Sequence, residues 1–301
     1  KDKNFGIVAY QSFNFFQDNN FVIGVDYKRY GGIAENKIIL GDTTIWELAG
    51  YGYIQQTFFD KLILNAGFRL EYSSVYGNEP VPSAGLVYNL SGSTTIKASA
   101  AKGFRSPTIR ELYLFPPANE NLEPERMINY ELGILQKLFD SRLLVELNLY
   151  QADGENLIRT IFSPAGPKNE NTGSFSNTGV EFSGNLILLE NLSAQVNYSY
   201  ISMKEPLLAA PEQQLNFSIN YKWENFLVNL SLQHINNLYT QITPVSVKEN
   251  YTLLNTRLSY KINRYIDVFL KAENLIDEKY YINYGYPMPG FVTFGGINLH
   301  Y

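Results

Sequence analysis

Residues Leu192–Tyr200 read LSAQVNYSY, with Leu192, Ala194, Val196, Tyr198 and Tyr200 alternating strictly with Ser193, Gln195, Asn197 and Ser199. A β-strand turns successive side chains to opposite faces, so this segment has one apolar and one polar side. A single strand of this kind fits any half-exposed antiparallel sheet. The dyad returns, however, at FVIGVDYK from Phe21, LILNAGFRLEY from Leu62, TTIKASAAK from Thr94, LVELNLY from Leu144, QLNFSINYK from Gln214, FLVNLSLQ from Phe226 and YIDVFLKAEN from Tyr265. Roughly fifteen such segments, each near the ~10 residues that cross a bilayer at a tilt, predict an all-β fold: a transmembrane antiparallel β-barrel with a wet lumen.

The polar positions hold Asp26 and Lys28; Asn65, Arg69 and Glu71; Lys97 and Ser99; Glu146 and Asn148; Asn216, Ser218 and Asn220; Asn229, Ser231 and Gln233; and Asp267, Lys271 and Glu273. A charge on the lipid face near the midplane costs ~2–4 kcal/mol, so these residues are predicted to line the lumen. The connections alternate between two kinds. Tight turns rich in Asn, Asp, Gly and Ser are expected near Gln17–Asn20, Asp60–Lys61, Ser91–Ser93, Asp140–Arg142, Glu190–Asn191, Glu224–Asn225 and Asn263–Arg264. Longer loops are expected at Gly31–Asp42, Tyr76–Pro82, Arg105–Pro124, Ser163–Thr172, Lys204–Glu212, Thr240–Lys248 and Tyr284–Pro289. Short turns on one rim and long loops on the other is how outer-membrane barrels are organised, the short turns facing the periplasm. With a first strand near Asn4–Phe16 and a last strand from Phe291, about fifteen strands make an odd number, whereas bacterial single-chain barrels are even. Unpaired strand edges are not tolerated in lipid, so further N-terminal strands are expected outside this sequence.

Composition supports this reading. Aromatic residues make up 15% of the 301 residues, with 23 Tyr and 19 Phe, a weight on β-forming types that soluble domains rarely carry. No window approaches ~18 consecutive apolar residues, which argues against a helical span. The mean hydropathy is slightly negative because lumen residues offset lipid-facing ones. A net charge of −5 with no basic run gives no electrostatic case for nucleic acid. There is no Cys, which removes disulfides and thiol metal sites. The sequence opens on charged and polar residues without a signal peptide, as expected of a processed chain or a fragment.

Three motifs carry a family resemblance. AAKGFRSPTIRELYL (Ala100–Leu114) followed by NENLEPERMINYELG (Asn119–Gly133), NTGVEFSGN from Asn177, and AENLIDEKYYINYGYPMPGFVTFGGINLHY from Ala272 occur in this order. Together they resemble the barrel of TonB-dependent outer-membrane receptors over essentially the whole sequence. Residues 1–301 would then be the C-terminal portion of a 22-stranded barrel, with the plug domain and first strands absent from this sequence. The resemblance implies active import of a scarce chelate, such as a ferric siderophore, haem or cobalamin, across the outer membrane of a Gram-negative bacterium. Its implied partners are the lipid bilayer, the plug, the chelate, the TonB complex reached through the missing N-terminus, and in some systems a surface lipoprotein. A passive porin or specific diffusion channel is the alternative, needing the same alternation but no plug. A soluble all-β binding protein would leave the asymmetry of the connections unexplained.

Most motif residues also have a structural reading. Gly103 and Pro107 are expected to shape the exit from a strand, and Arg105 is expected to pair with Glu125 across the intervening loop. Tyr301 resembles the terminal aromatic by which family members are recognised for insertion, and equally suits an interfacial girdle. By the same resemblance, ligand contacts come from aromatics of the long loops: Tyr113 and Phe115 after the GFR motif, and Tyr284, Tyr286 and Met288 in the last loop. Such side chains offer large contact area at small entropic cost. Ala209 and Ala210 stand where cobalamin transporters can carry arginines, which weighs against cobalamin.

Enzymatic chemistry finds no support. Of the two His residues, His234 continues the apolar set of Phe226, Val228, Leu230 and Leu232, and His300 is about three dozen residues from a carboxylate partner in sequence. Nucleophile-elbow and zinc-protease spacings are absent, and the turn at Ser91–Thr94 lacks the Lys and helix of a phosphate loop. Asn119, Glu120, Asn121, Glu123 and Glu170 are too sparse in oxygens to predict calcium. No cofactor and no metal is called for.

Overall fold

The computed structural model describes residues 2–33, 42–114, 116–164 and 166–300. Among them, fifteen strands form one antiparallel sheet in chain order: β1 (Asp2–Phe13), β2 (Asn19–Ile33), β3 (Asp42–Phe58), β4 (Leu62–Ser73), β5 (Gly77–Asn89), β6 (Thr94–Arg105), β7 (Glu125–Leu138), β8 (Leu143–Ser163), β9 (Gly166–Leu189), β10 (Leu192–Met203), β11 (Pro211–Trp223), β12 (Phe226–Gln241), β13 (Val247–Asn263), β14 (Ile266–Glu273) and β17 (Val292–Leu299). A second, two-stranded sheet pairs β15 (Tyr281–Asn283) with β16 (Tyr286–Pro287), and one short helix, α1 (Ile109–Tyr113), follows β6. The predicted all-β, antiparallel organisation is borne out.

The chain divides into two compact units. Unit 1 comprises Lys1–Leu90, Ile96–Leu132 and Tyr150–Ser176; unit 2 comprises Ser91–Thr95, Gly133–Leu149 and Asn177–Tyr301. In unit 1, burial runs opposite to that of a soluble sheet. Ile23, Val25, Leu48, Ile54, Phe68 and Leu70 are exposed, while Glu47, Glu71, Ser73 and Glu79 are buried. An apolar face open to the surroundings beside a crowded polar face is what a lipid-facing wall requires. In unit 2 the opening dyad keeps its register: Ala194, Val196 and Tyr198 pair with Ile219, Phe217 and Leu215, and Gln195, Asn197 and Ser199 pair with Ser218, Asn216 and Gln214.

The short turns fall where the turn residues put them, as at Glu190–Asn191 and Glu224–Asn225. Three expected loops are corrected. Tyr76–Pro82 is mostly strand, because β5 begins at Gly77 and only Ser74–Tyr76 form the connection. Likewise β8 reaches Ser163 and β9 starts at Gly166, so most of Ser163–Thr172 is strand. Here Asn, Gly and Pro read as loop although the strands continue pairing past the apolar band, where hydrophobicity no longer marks them. The last loop, expected at Tyr284–Pro289, spans the whole interval from β14 to β17 and contains β15 and β16. Most of Gly31–Asp42, and Tyr301, lie outside the described residues.

An expected outcome follows from the faces. Val25 is 53% exposed at mid-strand on the apolar side. Val25→Arg should destabilise the folded protein in lipid vesicles by about 2–4 kcal/mol, while Asn216→Lys on the polar side should cost less than about 1 kcal/mol; equilibrium urea unfolding followed by Trp fluorescence measures both.

Candidate ligand-binding loops

The connection 106–124 joins β6 to β7 within unit 1. Its helix opens at Thr108, whose side chain accepts from the Glu111 backbone N–H (3.2 Å), while the Glu111 carboxylate accepts from the Thr108 N–H (2.8 Å). This reciprocal capping box satisfies two backbone donors that a helix start leaves unpaired. Glu111 also receives two N–H groups of Arg105 at 3.0 Å each, and Arg105 Nε donates to Glu125 at 2.5 Å. One arginine at the end of β6 therefore fastens the helix to the first residue of β7, as the expected Arg105–Glu125 pair implied. Gly103 plays no special backbone part: it lies inside β6 with open space where a Cβ would stand.

Beneath the helix Leu112, Leu122 and Ile45 form a buried cluster, with Tyr113 and Ile158 packed around it. Asn169 of β9, 6% exposed, closes the other side. Its N–H donates to the Pro117 carbonyl (2.6 Å), its side-chain amide donates to the Glu111 carbonyl (3.3 Å), and its own carbonyl accepts from Asn119 (2.7 Å). Burial alone pushes the Glu111 carboxyl up, but hydrogen bonds from Arg105 and Thr108 outweigh it and hold the carboxyl below its ordinary value. Burial raises the Tyr113 phenol, with the Glu120 charge adding to it.

In unit 2 the segment between β14 and β17 is held by its own motif residues. Asn274, 4% exposed, accepts from the Glu278 N–H (2.8 Å) and donates to the carbonyls of Glu278 (2.9 Å) and Pro289 (3.4 Å). Asp277 accepts from the Phe291 N–H at 2.8 Å, and a Cβ at Gly290 would stand 2.3 Å from that Asp277 carboxylate. Only glycine permits so close an approach. The β15–β16 hairpin thus anchored turns at Gly285, whose φ is +80°. Tyr284 and Tyr286 project from it, 58% and 74% exposed. Met288 is half-buried, its N–H donating to the Tyr280 carbonyl at 3.0 Å.

The expected ligand residues therefore separate. Tyr284, Tyr286 and Met288 share one hairpin in unit 2. Tyr113 belongs to unit 1, where it packs on the buried cluster beneath α1. Phe115 lies outside the described residues.

The polar faces of the units differ in charge. In unit 1, Arg69 donates to Asp26 (3.2 Å) and Glu71 (2.6 Å), and Tyr30 donates to Glu47 (2.9 Å). Glu79, 1% exposed, sits between Lys102 (2.6 Å) and Arg126 (2.9 Å). A buried carboxylate needs such partners to stay ionised. Sequence reading missed this triad: alternation counted from Lys97 and Ser99 assigns Lys102 to the apolar set. In unit 2 a cavity of about 320 Å³ is lined chiefly by neutral groups, including Asn148, Ser183, Asn197, Ser199 and Asn216. His300, distant from carboxylates in sequence, meets Asp267 at 2.7 Å across neighbouring strands.

The family described as "TonB dependent receptor-like, beta-barrel" matches residues 2–275. The chain belongs to this family. Members of the TonB-dependent receptor family are outer-membrane transporters of Gram-negative bacteria, not enzymes, and this chain is part of such an outer-membrane protein. The vitamin B12 transporter BtuB of Photobacterium profundum is 24% identical over 226 residues, covering 70% of this chain and 36% of the transporter. A mutant of the ferric enterobactin receptor PfeA from Pseudomonas aeruginosa, solved in complex with enterobactin, superposes with a TM-score of 0.83 at 15% identity, covering 99% of this chain and 54% of the receptor. The siderophore receptor PirA from the same organism gives 0.81 at 19% identity, with 99% and 55% covered. These likenesses are of fold, and the chain spans little more than a third of the B12 transporter and about half of the two receptors.

In this TonB-dependent receptor barrel the mid-chain signature is thus a fastening for an external loop. The fastening needs ionised Glu111, whose folded pKa is lowered. It is therefore fully present above the unfolded carboxylate pKa and is lost as pH falls through the lower folded value. Amide protection factors in the described part of residues 106–124, which are corrected for the intrinsic pH dependence of exchange, should be high at pH 7, should fall as the pH is lowered through the acid range, and should be low throughout in Glu111→Gln and Arg105→Ala.

Proposed function

We propose that this chain is the C-terminal part of a 22-stranded barrel of an importer that takes up a scarce metal chelate, a ferric siderophore, haem or cobalamin. The family match along residues 2–275 carries the proposal. The remainder of the barrel and a plug domain are supplied by sequence outside this chain, and the TonB complex acts through that part, coupling uptake to the inner membrane. A surface lipoprotein is a further partner in this reading. The chelate meets the receptor first at aromatic loop residues. Tyr284 and Tyr286 are the best placed of these, since the Asn274 and Asp277 anchors fix the hairpin while leaving both rings exposed. Rigid aromatic rings held on an anchored turn give contact area without much ordering cost. Tyr113, packed on the cluster of Ile45, Leu112 and Leu122, serves as a support of the loop rather than as an exposed contact.

The full-length protein tests this directly. In cells lacking competing receptors it should restore growth on one chelate class as sole source, and a protonophore or loss of TonB should abolish uptake. Tyr286→Ala should weaken binding of that chelate about tenfold with the barrel still folded. A full-length protein that conducts ions steadily in a planar bilayer and imports without TonB would instead be a passive channel.

A further inference from the structure

Arg29 stands on the apolar face of β2, in line with Ile23, Val25 and Tyr27, and its side chain is exposed. Across the ladder it pairs with Phe5 of β1 and Trp46 of β3. A charge on this face is expensive near the midplane and cheap at the interface, so its height decides what it meets. Phe21, clustered with Phe13 and Phe15 next to the short turn of β1 and β2, marks one edge of the apolar band. Arg29 comes eight residues later in β2. At ~3.4 Å per residue and a tilt near 40°, the separation is roughly 20 Å of height against an apolar band about 25 Å tall. Arg29 thus lies at the opposite edge, on the side of the long connections, which is extracellular in outer-membrane barrels.

The second edge has its own aromatic marker. Trp46 and Tyr72 approach with ring centroids 5.3 Å apart, 37% and 42% exposed, and Phe5 meets Tyr27 edge-on at 6.4 Å. Arg29 lies between the strand positions of Phe5 and Trp46. The positions beside it on the same face, Phe5, Tyr27, Trp46 and Leu48, include no carboxylate. Among the described residues Arg29 makes no ion pair, in contrast to Arg69, Arg105 and Arg126. An exposed guanidinium at headgroup height, with aromatic residues as its partners on both neighbouring strands, matches a lipid phosphate, with the aromatics against the adjoining acyl chains and sugar.

We propose that Arg29, flanked across the ladder by Phe5 and Trp46, binds the phosphate of a saccharolipid of the outer leaflet. The site rests on the placement of this sheet in the outer membrane and is independent of what the receptor imports. The planar fork of the guanidinium offers two parallel N–H groups to one phosphate, which a lysine ammonium does not.

Native mass spectrometry on the full-length receptor in detergent, titrated with diphosphorylated lipid A, tests the site. Wild type should bind at least about tenfold more tightly than Arg29→Gln, and Arg29→Lys should fall between them. Dephosphorylated lipid A should bind wild type no better than diphosphorylated lipid A binds Arg29→Gln. Trp46→Leu, which preserves the arginine, should weaken binding as well, and heat-modified gel migration should show each variant folded. Inorganic phosphate at the same concentration should neither bind nor compete. Equal binding by wild type and Arg29→Gln, indifference to the lipid phosphates, or effective competition by inorganic phosphate would overturn the proposal. Chelate uptake, measured separately, reports on the transport reading and leaves this one untouched.

Discussion

Every backbone N–H and C=O that enters hydrocarbon must find its partner within the protein, and this single constraint organises the chain. A sheet answers it by pairing each strand with its neighbour in sequence, as β1 to β14 do here. Once the ladder is obligatory, side chains are divided between two faces, and the face turned to lipid must be apolar. The polar residues then collect on the other side and are held by one another. Glu79 between Lys102 and Arg126, and Arg69 between Asp26 and Glu71, are consequences of that division.

The family motifs acquire physical meaning from the same frame. Strands that leave the membrane no longer have hydrophobicity to position them, so their connections need fastenings of another kind. Arg105, Thr108, Glu111, Glu125 and Asn169 supply charge-assisted and capping hydrogen bonds in one place. Asn274, Asp277 and Gly290 supply backbone anchoring in another. Residues that look like a ligand signature are largely the means by which loops are kept still. The aromatic rings at the tip of the anchored hairpin are left free for contact.

How much of this could be read beforehand depends on how local the physics is. Alternation at Leu192–Tyr200 located its strand and both faces correctly, since a period of two is written in consecutive residues. The capping box at Thr108 and Glu111 is likewise written locally, as T-x-x-E. The segments at Gly77–Pro82 and Gly166–Thr172 misled, because polar strand above the membrane has the composition of loop. Lys102 was hidden by the same counting that succeeded elsewhere, as near the strand end both parities find polar partners: Lys102 meets Glu79 and Arg105 meets Glu111.

The sequence by itself determined where the strands cross the apolar band, where the short turns lie, and that one face of the sheet is built for lipid. Those properties follow from spacing between neighbours in the chain. Only the tertiary structure decided which charges are partnered and which are left to face outward. Alternation puts Arg69 on the polar face and Arg29 on the apolar one, but only the fold ties Arg69 to carboxylates on two strands and sets Arg29 between the strand positions of Phe5 and Trp46. Partnership is set by register between strands dozens of residues apart, and a period of two carries no record of it.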